Sequence, residues 1–176
     1  MSKSASDSRS KVVLICGIPG SGKTTFCAWL DEHKGFDHLD FDLLLQGQGT
    51  PAHLHLVHLL RTSPKDFIHK VLKKKKPTAI DWGFPIKSLD LVRFFKLSGI
   101  GVWWFDGDRE AARQRFIDRR TVTLDAFKQQ MSDIEGSWSE ITEVVGDHVI
   151  YSVAKGPTNL PQEDIFAGMF SRSPLQ

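Results

Sequence analysis

The chain is 176 residues long, with 40% apolar and 25% charged residues, a length and composition that suit one soluble globular domain with its own core. A net charge of +2 at pH 7 makes no general electrostatic case for nucleic acid or a membrane surface as partner. No stretch approaches membrane-spanning length, and Met1 to Ser10 is polar and serine-rich, which reads as a disordered tail ahead of a single domain over residues 11–176. Cys16 and Cys27 lie in an apolar run and in the stretch after it, outside any metal-type spacing. They read as buried small hydrophobes of a protein in a reducing cytosol.

In chain order, the first element is an apolar, β-branched strand over Val12 to Cys16. Directly after it, Gly17 to Thr25 reads GIPGSGKTT and fits G-x-x-x-x-G-K-[ST] at every fixed position. A helix over Thr24 to Lys34 follows, so the motif stands between strand and helix, the context it requires. A backbone that bends tightly around a polyphosphate has no room for Cβ atoms at its closest approaches. Gly17, Gly20 and Gly22 leave the amides of Gly17, Ile18, Pro19, Gly20, Ser21, Gly22, Lys23, Thr24 and Thr25, proline excepted, free to face an anion. The helix N-terminus adds partial positive charge at the same spot. In this pattern Lys23 reaches the β- and γ-phosphates and the Thr24 hydroxyl ligates magnesium. The alternative reading is a glycine-rich turn without a ligand. No Asn-Lys-x-Asp guanine signature is present, so ATP is the expected nucleotide.

Further strands are expected over Phe36 to Leu39, Thr78 to Asp81, Ile100 to Phe105 and His148 to Val153. Helices are expected over Pro51 to Leu60, Pro64 to Lys74, Ile86 to Leu97, Arg109 to Arg120 and Leu124 to Glu135. Gly35, Gly99 and Gly146 mark ends before strands. Strands alternating with helices predict an α/β fold whose parallel sheet carries helices on both faces.

Three further sites follow the phosphate loop. In Leu39-Asp40-Phe41-Asp42, two carboxylates at the end of the second strand project toward the crevice where open α/β sheets bind ligands. One can order the water around a metal and the other can accept a proton from a hydroxyl; the alternative is a helix cap or turn. Asp81 ends the strand Thr78 to Asp81 and is a candidate magnesium ligand, the alternative being a turn residue before Gly83. Trp82 and Phe84 read as packing or pocket-wall residues. Within Asp108 to Arg120, Arg115 and Arg119 lie one turn apart and can close over a nucleotide, meeting the charge that develops on the transferred group, the alternative being a solvated helix face laced with Asp108, Glu110 and Asp118. Arg109 and Arg113 read instead as part of a solvated face paired with acids.

Two clusters carry bland readings. His53, His55 and His58 fall in an amphipathic helix with Leu54, Leu56, Leu59 and Leu60, where a metal site is the alternative. Lys73 to Lys76 form a solvated helix terminus or a patch for an anionic partner.

Taken together, GIPGSGKTT, LDFD, IDWGF and Arg115-x-x-x-Arg119 resemble the small phosphate-loop kinases, a group that includes shikimate kinase, gluconate kinase, adenylylsulfate kinase, chloramphenicol phosphotransferase and zeta-toxin-like kinases. More narrowly, the chain resembles the AAA-domain predicted kinases. The resemblance spans about Lys11 to Val153. It implies a three-layer P-loop NTPase fold with a five-stranded parallel sheet in the order 2-3-1-4-5 and a lid around residues 109–135. It also implies that Asp40 sits near magnesium, that Asp42 binds or deprotonates the acceptor hydroxyl, that Arg119 contacts ATP phosphates, and that Ala154-Lys155-Gly156-Pro157 stands beside adenine. Gln46 to Arg61 matches neither the shikimate nor the gluconate pattern, so no acceptor identity transfers. The expected function is ATP- and Mg2+-dependent phosphotransfer to a hydroxyl of a small molecule. The alternatives are a nucleotide-dependent switch, which needs neither Asp42 nor the arginine pair, and a nucleic-acid-end kinase, which needs a basic groove.

Overall fold

The computed structural model describes residues 10–83, 86–118, 123–154 and 160–170. Five parallel strands, β1 (Val12–Gly17), β2 (Asp37–Asp40), β3 (Thr78–Asp81), β4 (Gly101–Gly107) and β5 (Val149–Val153), form a sheet in the order β2-β3-β1-β4-β5. β1 is buried along its whole length because it lies at the centre of the sheet with helices on both faces. Its side chains alternate between two cores. Val13 and Ile15 face α1 (Lys23–Lys34) and α9 (Gln162–Phe170), packing with Phe26, Leu30, Phe105, Ile165 and Met169. Leu14 and Cys16 face the opposite layer, where Leu39, Ile80 and Trp104 meet the helices between β2 and β5. Each fully buried large side chain contributes roughly 1.5–3 kcal/mol.

That second layer is built from α2 (Phe41–Leu45), α3 (Pro51–Thr62), α4 (Pro64–Leu72), α5 (Leu89–Leu97), α6 (Arg109–Asp118), α7 (Leu124–Gly136) and α8 (Trp138–Val145). Thr50 caps α3 by accepting the His53 N–H at 3.2 Å, with Pro51 at the first helical position. Gly35 ends α1 in the left-handed region at φ 70°.

The sequence-based element positions hold, with differences at the ends. Ser10, read from the sequence as part of the tail, is tied to the sheet end: its hydroxyl donates to the Gly99 and Val12 carbonyls and accepts the Gly101 N–H; residues 1–9 lie outside the described residues. α4 ends at Leu72 rather than Lys74, and a 3-10 turn over Ile86–Ser88 precedes α5. The short α2 was not expected, because its start is set by a cap rather than by periodicity: Asp40 accepts the Leu43 N–H at 3.0 Å. Nor were α8 and α9, although Trp138, Ile141, Val144 and Val145 of α8 stand at helical spacing.

Candidate active site

Parallel register brings the carboxyl ends of four strands to one edge. Ile15 and Asp40 both pair with Asp81, and Gly17 pairs with Phe105. The loop GIPGSGKTT leaves this edge and returns as α1. Gly17 and Gly20 adopt positive φ, and a Cβ at either would overlap backbone, the Phe105 carbonyl in one case and the Ala112 carbonyl in the other. Only glycine lets the loop press against both β4 and α6. Ile18 N–H donates to Phe105 at 3.0 Å, and the buried Ser152 hydroxyl donates to the Ser21 carbonyl at 2.9 Å, fastening the loop to β4 and β5.

The Lys23 side chain is buried within this bend, its Nζ donating to the Gly17 and Ile18 carbonyls at 3.2 and 3.0 Å. Asp81 is 3% exposed, with the Thr24 hydroxyl beside its carboxylate. Burial raises its carboxyl above the usual range, against the opposing pull of Lys23 and Thr24, while Asp40 pushes the same way as burial. Asp42 accepts the Gly83 N–H at 2.8 Å. The protein packed around it raises its carboxyl as well, even though one side stays open to solvent; Gly83 and Lys23 oppose that rise and Asp40 adds to it. Asp40, Asp42 and Asp81 thus converge beside Lys23 and Thr24.

The donor set fits a hard divalent cation: a hydroxyl and carboxylates beside a loop built for phosphate. Thr24 and Asp81 would hold such an ion, with Asp40 adjacent. Asp40 caps α2, as the cap reading of the Asp-x-Asp pair has it, and it also lies at the acidic edge.

The remaining candidates separate. Arg109 pairs with the buried Asp106 at 3.3 Å and Arg113 with Glu110 at 2.8 Å, as befits helix-surface charges. Arg115 is half-buried on α6; Arg119 lies outside the described residues. Ala154 follows β5, while Lys155, Gly156 and Pro157 also lie outside them, as does Phe84. Trp82 is buried edge-to-face on Phe41 at 5.4 Å and serves as packing. His55 and His58 are exposed on α3, whose buried face is Leu56, Val57 and Leu60, so the amphipathic reading holds. Lys74 pairs with Asp37 and Lys76 with Asp31 at 3.8 Å. Both cysteines are buried free thiols, and burial pushes Cys16 up to about 12, which makes it inert.

Two contributors escaped the sequence reading. Ser152 positions the loop from a distant strand and had no local signal. His38 lies two residues before Asp40 and therefore on the same strand face, a period-2 signal that was available.

No family model matches the chain. UMP-CMP kinase 3 of Oryza sativa subsp. japonica is 29% identical over 133 residues, covering 68% of this chain and 63% of that protein, so the chain spans less than two thirds of the length of this relative. Among solved structures, shikimate kinase from Acinetobacter baumannii in complex with shikimate superposes with a TM-score of 0.58 at 20% identity, covering 94% of this chain and 97% of that one. The tunicamycin resistance protein of Deinococcus radiodurans gives a TM-score of 0.57 at 15% identity, covering 96% and 98%. Among the described residues no helix is long and apolar enough to cross a membrane. By its sheet order, its phosphate loop and these likenesses, the chain has the fold of the small P-loop kinases.

Proposed function

We propose that this protein transfers the γ-phosphoryl group of ATP, with Mg2+, to a hydroxyl of a small molecule. The observation that carries the reading is Asp42. Its carboxylate is held by the Gly83 N–H at the sheet edge that also bears the phosphate loop, where an acceptor can approach the γ-phosphate in line. The loop amides and Lys23 hold the phosphates. Thr24 and Asp81 hold magnesium, with Asp40 ordering its water. When bound, the ion supplies neutralisation of charge on the β- and γ-oxygens. Asp42 takes the proton of the acceptor hydroxyl as its oxygen bonds to Pγ and the bond from Pγ to the β,γ-bridging oxygen breaks, releasing ADP. Arg115 and Arg119 meet the charge on the transferring group. The expected setting is the cytoplasm.

The relative named for UMP and CMP favours a second reading, in which the acceptor is a nucleoside monophosphate. A phosphate acceptor is already ionised and has no hydroxyl proton to give, so the two readings differ in their need for Asp42. The deciding experiment follows label from γ-32P ATP into a panel of hydroxylated metabolites, antibiotics, nucleosides, UMP and CMP. Asp42→Asn should lower transfer to a hydroxyl by roughly 10²–10⁴-fold with ATP binding intact. Transfer to UMP or CMP that survives this change establishes the second reading. Normal ATP binding with label reaching no acceptor, water included, defeats both.

A further inference from the structure

His38, Asp40 and Asp81 offer one nitrogen and two carboxylate oxygens that all lie within 4.8 Å of one another. The grouping follows from the sheet. His38 and Asp40 share one face of β2, and Asp40 stands opposite Asp81 of β3 in the parallel register. His38 Nε2 is shut off from solvent and has no hydrogen-bond partner among the described residues. Its approach to Asp81 Oδ2, 3.9 Å, is too long for a hydrogen bond. A buried ring nitrogen without a partner carries a desolvation cost, and so do two carboxylates facing each other across paired strands. One cation placed among the three atoms offsets both costs.

We propose that His38, Asp40 and Asp81 form a divalent-cation site that binds metal without nucleotide and favours a transition-series ion such as Mn2+ over Mg2+. Metal–ligand bonds of about 2.2 Å hold neighbouring donors roughly 3–4.4 Å apart, so these atoms close on an ion with side-chain movements of about half an ångström. Imidazole suits the borderline ions, whereas an all-oxygen set suits Mg2+. Asp81 is shared with Thr24, so the site adjoins the position assigned to the nucleotide's magnesium. The inference deepens the kinase reading and rests on it only for the use of the metal, because the cation can be detected with neither ATP nor acceptor present.

The experiment is Mn2+ titration of the nucleotide-free protein, followed by electron spin echo spectroscopy of the bound ion. Wild type should bind Mn2+ more tightly than Mg2+ and show modulation from a single imidazole 14N. His38→Gln should remove that modulation and weaken binding by roughly tenfold or more, about 1.4 kcal/mol per factor of ten. His53→Gln, which alters the histidine paired with Asp37 at 3.3 Å, should leave the signal unchanged. Oxygen-only coordination in wild type, an imidazole signal that survives His38→Gln, or no Mn2+ binding without nucleotide each overturns the site. The wild-type spectrum decides the matter if His38→Gln fails to fold. ATP binding measured separately with Mg2+ tells failure of this site from failure of the kinase reading.

Discussion

Asp42 and Asp81 show what a few residues at a strand end can be made to do. Both carboxyls are raised above the 3.8 of an ordinary aspartate, chiefly by burial. As a base Asp42 works ionised, so kcat/KM should fall as pH drops through its raised value. The acid limb of the pH profile should therefore lie on the high side of where an ordinary aspartate would put it. For folding the sign is opposite. A carboxyl raised in the folded state binds its proton more tightly there than in the unfolded chain, and the stability this contributes is lost as pH rises through the folded value. Asp81→Asn should consequently raise the melting temperature of the ligand-free protein at pH 7, read by calorimetry, while removing the further rise that Mn2+ gives wild type. The same residue is thus a burden on the empty fold and an asset once a cation is present.

Between elements, the phosphate loop is held in shape by its neighbours. α6 lies so close that a side chain at position 20 would overlap the Ala112 carbonyl, and Gly20 has φ 78°. Gly20→Ala should cost about 1–3 kcal/mol of local strain. It should weaken ATP binding by about tenfold or more, measured by calorimetric titration. From the other side, the Ser152 hydroxyl donates to Ser21 and, at 3.3 Å, to Asp106. Ser152→Ala should leave the Ser21 carbonyl without this donor at a cost of about 1–2 kcal/mol, seen as a lower urea midpoint. The buried Asp106 extends the brace, accepting the Trp104 indole N–H at 3.0 Å and the Gly107 N–H at 2.7 Å as well as meeting Arg109. Strand ends, loop and α6 are thereby joined through short polar links. Sequence reading found β4, β5, the phosphate loop and α6 yet not these links, because a serine or aspartate within an apolar strand looks the same whether or not a distant carbonyl awaits it.

At the scale of the whole molecule, binding and stability are one measurement. A ligand held by the folded loop at a hundred times its Kd adds about 2.7 kcal/mol to stability. For a domain of this size that is roughly 5–10 °C in Tm. Mg-ATP should produce such a shift in wild type and little in Lys23→Met, as followed by differential scanning fluorimetry. The fold around the loop tolerates much variation, as identities of 15% to 20% with proteins of similar shape indicate.

By itself the sequence determined what is local. The fit of GIPGSGKTT between strand and helix, the proline and threonine that start α3, and the glycines that end helices depend on neighbours a few residues away, where backbone sterics and capping decide the outcome. Strand positions were legible for the same reason, since short apolar β-branched runs bounded by glycine and charge have few other ways to be buried. Only the tertiary structure decided which distant groups meet. That Asp42 accepts from Gly83, that Ser152 grips the phosphate loop and that His38 lies beside Asp40 and Asp81 follow from the register and order of parallel strands. Those are fixed by the joint burial of two cores on either side of the sheet, a sum over the whole chain that no short segment carries.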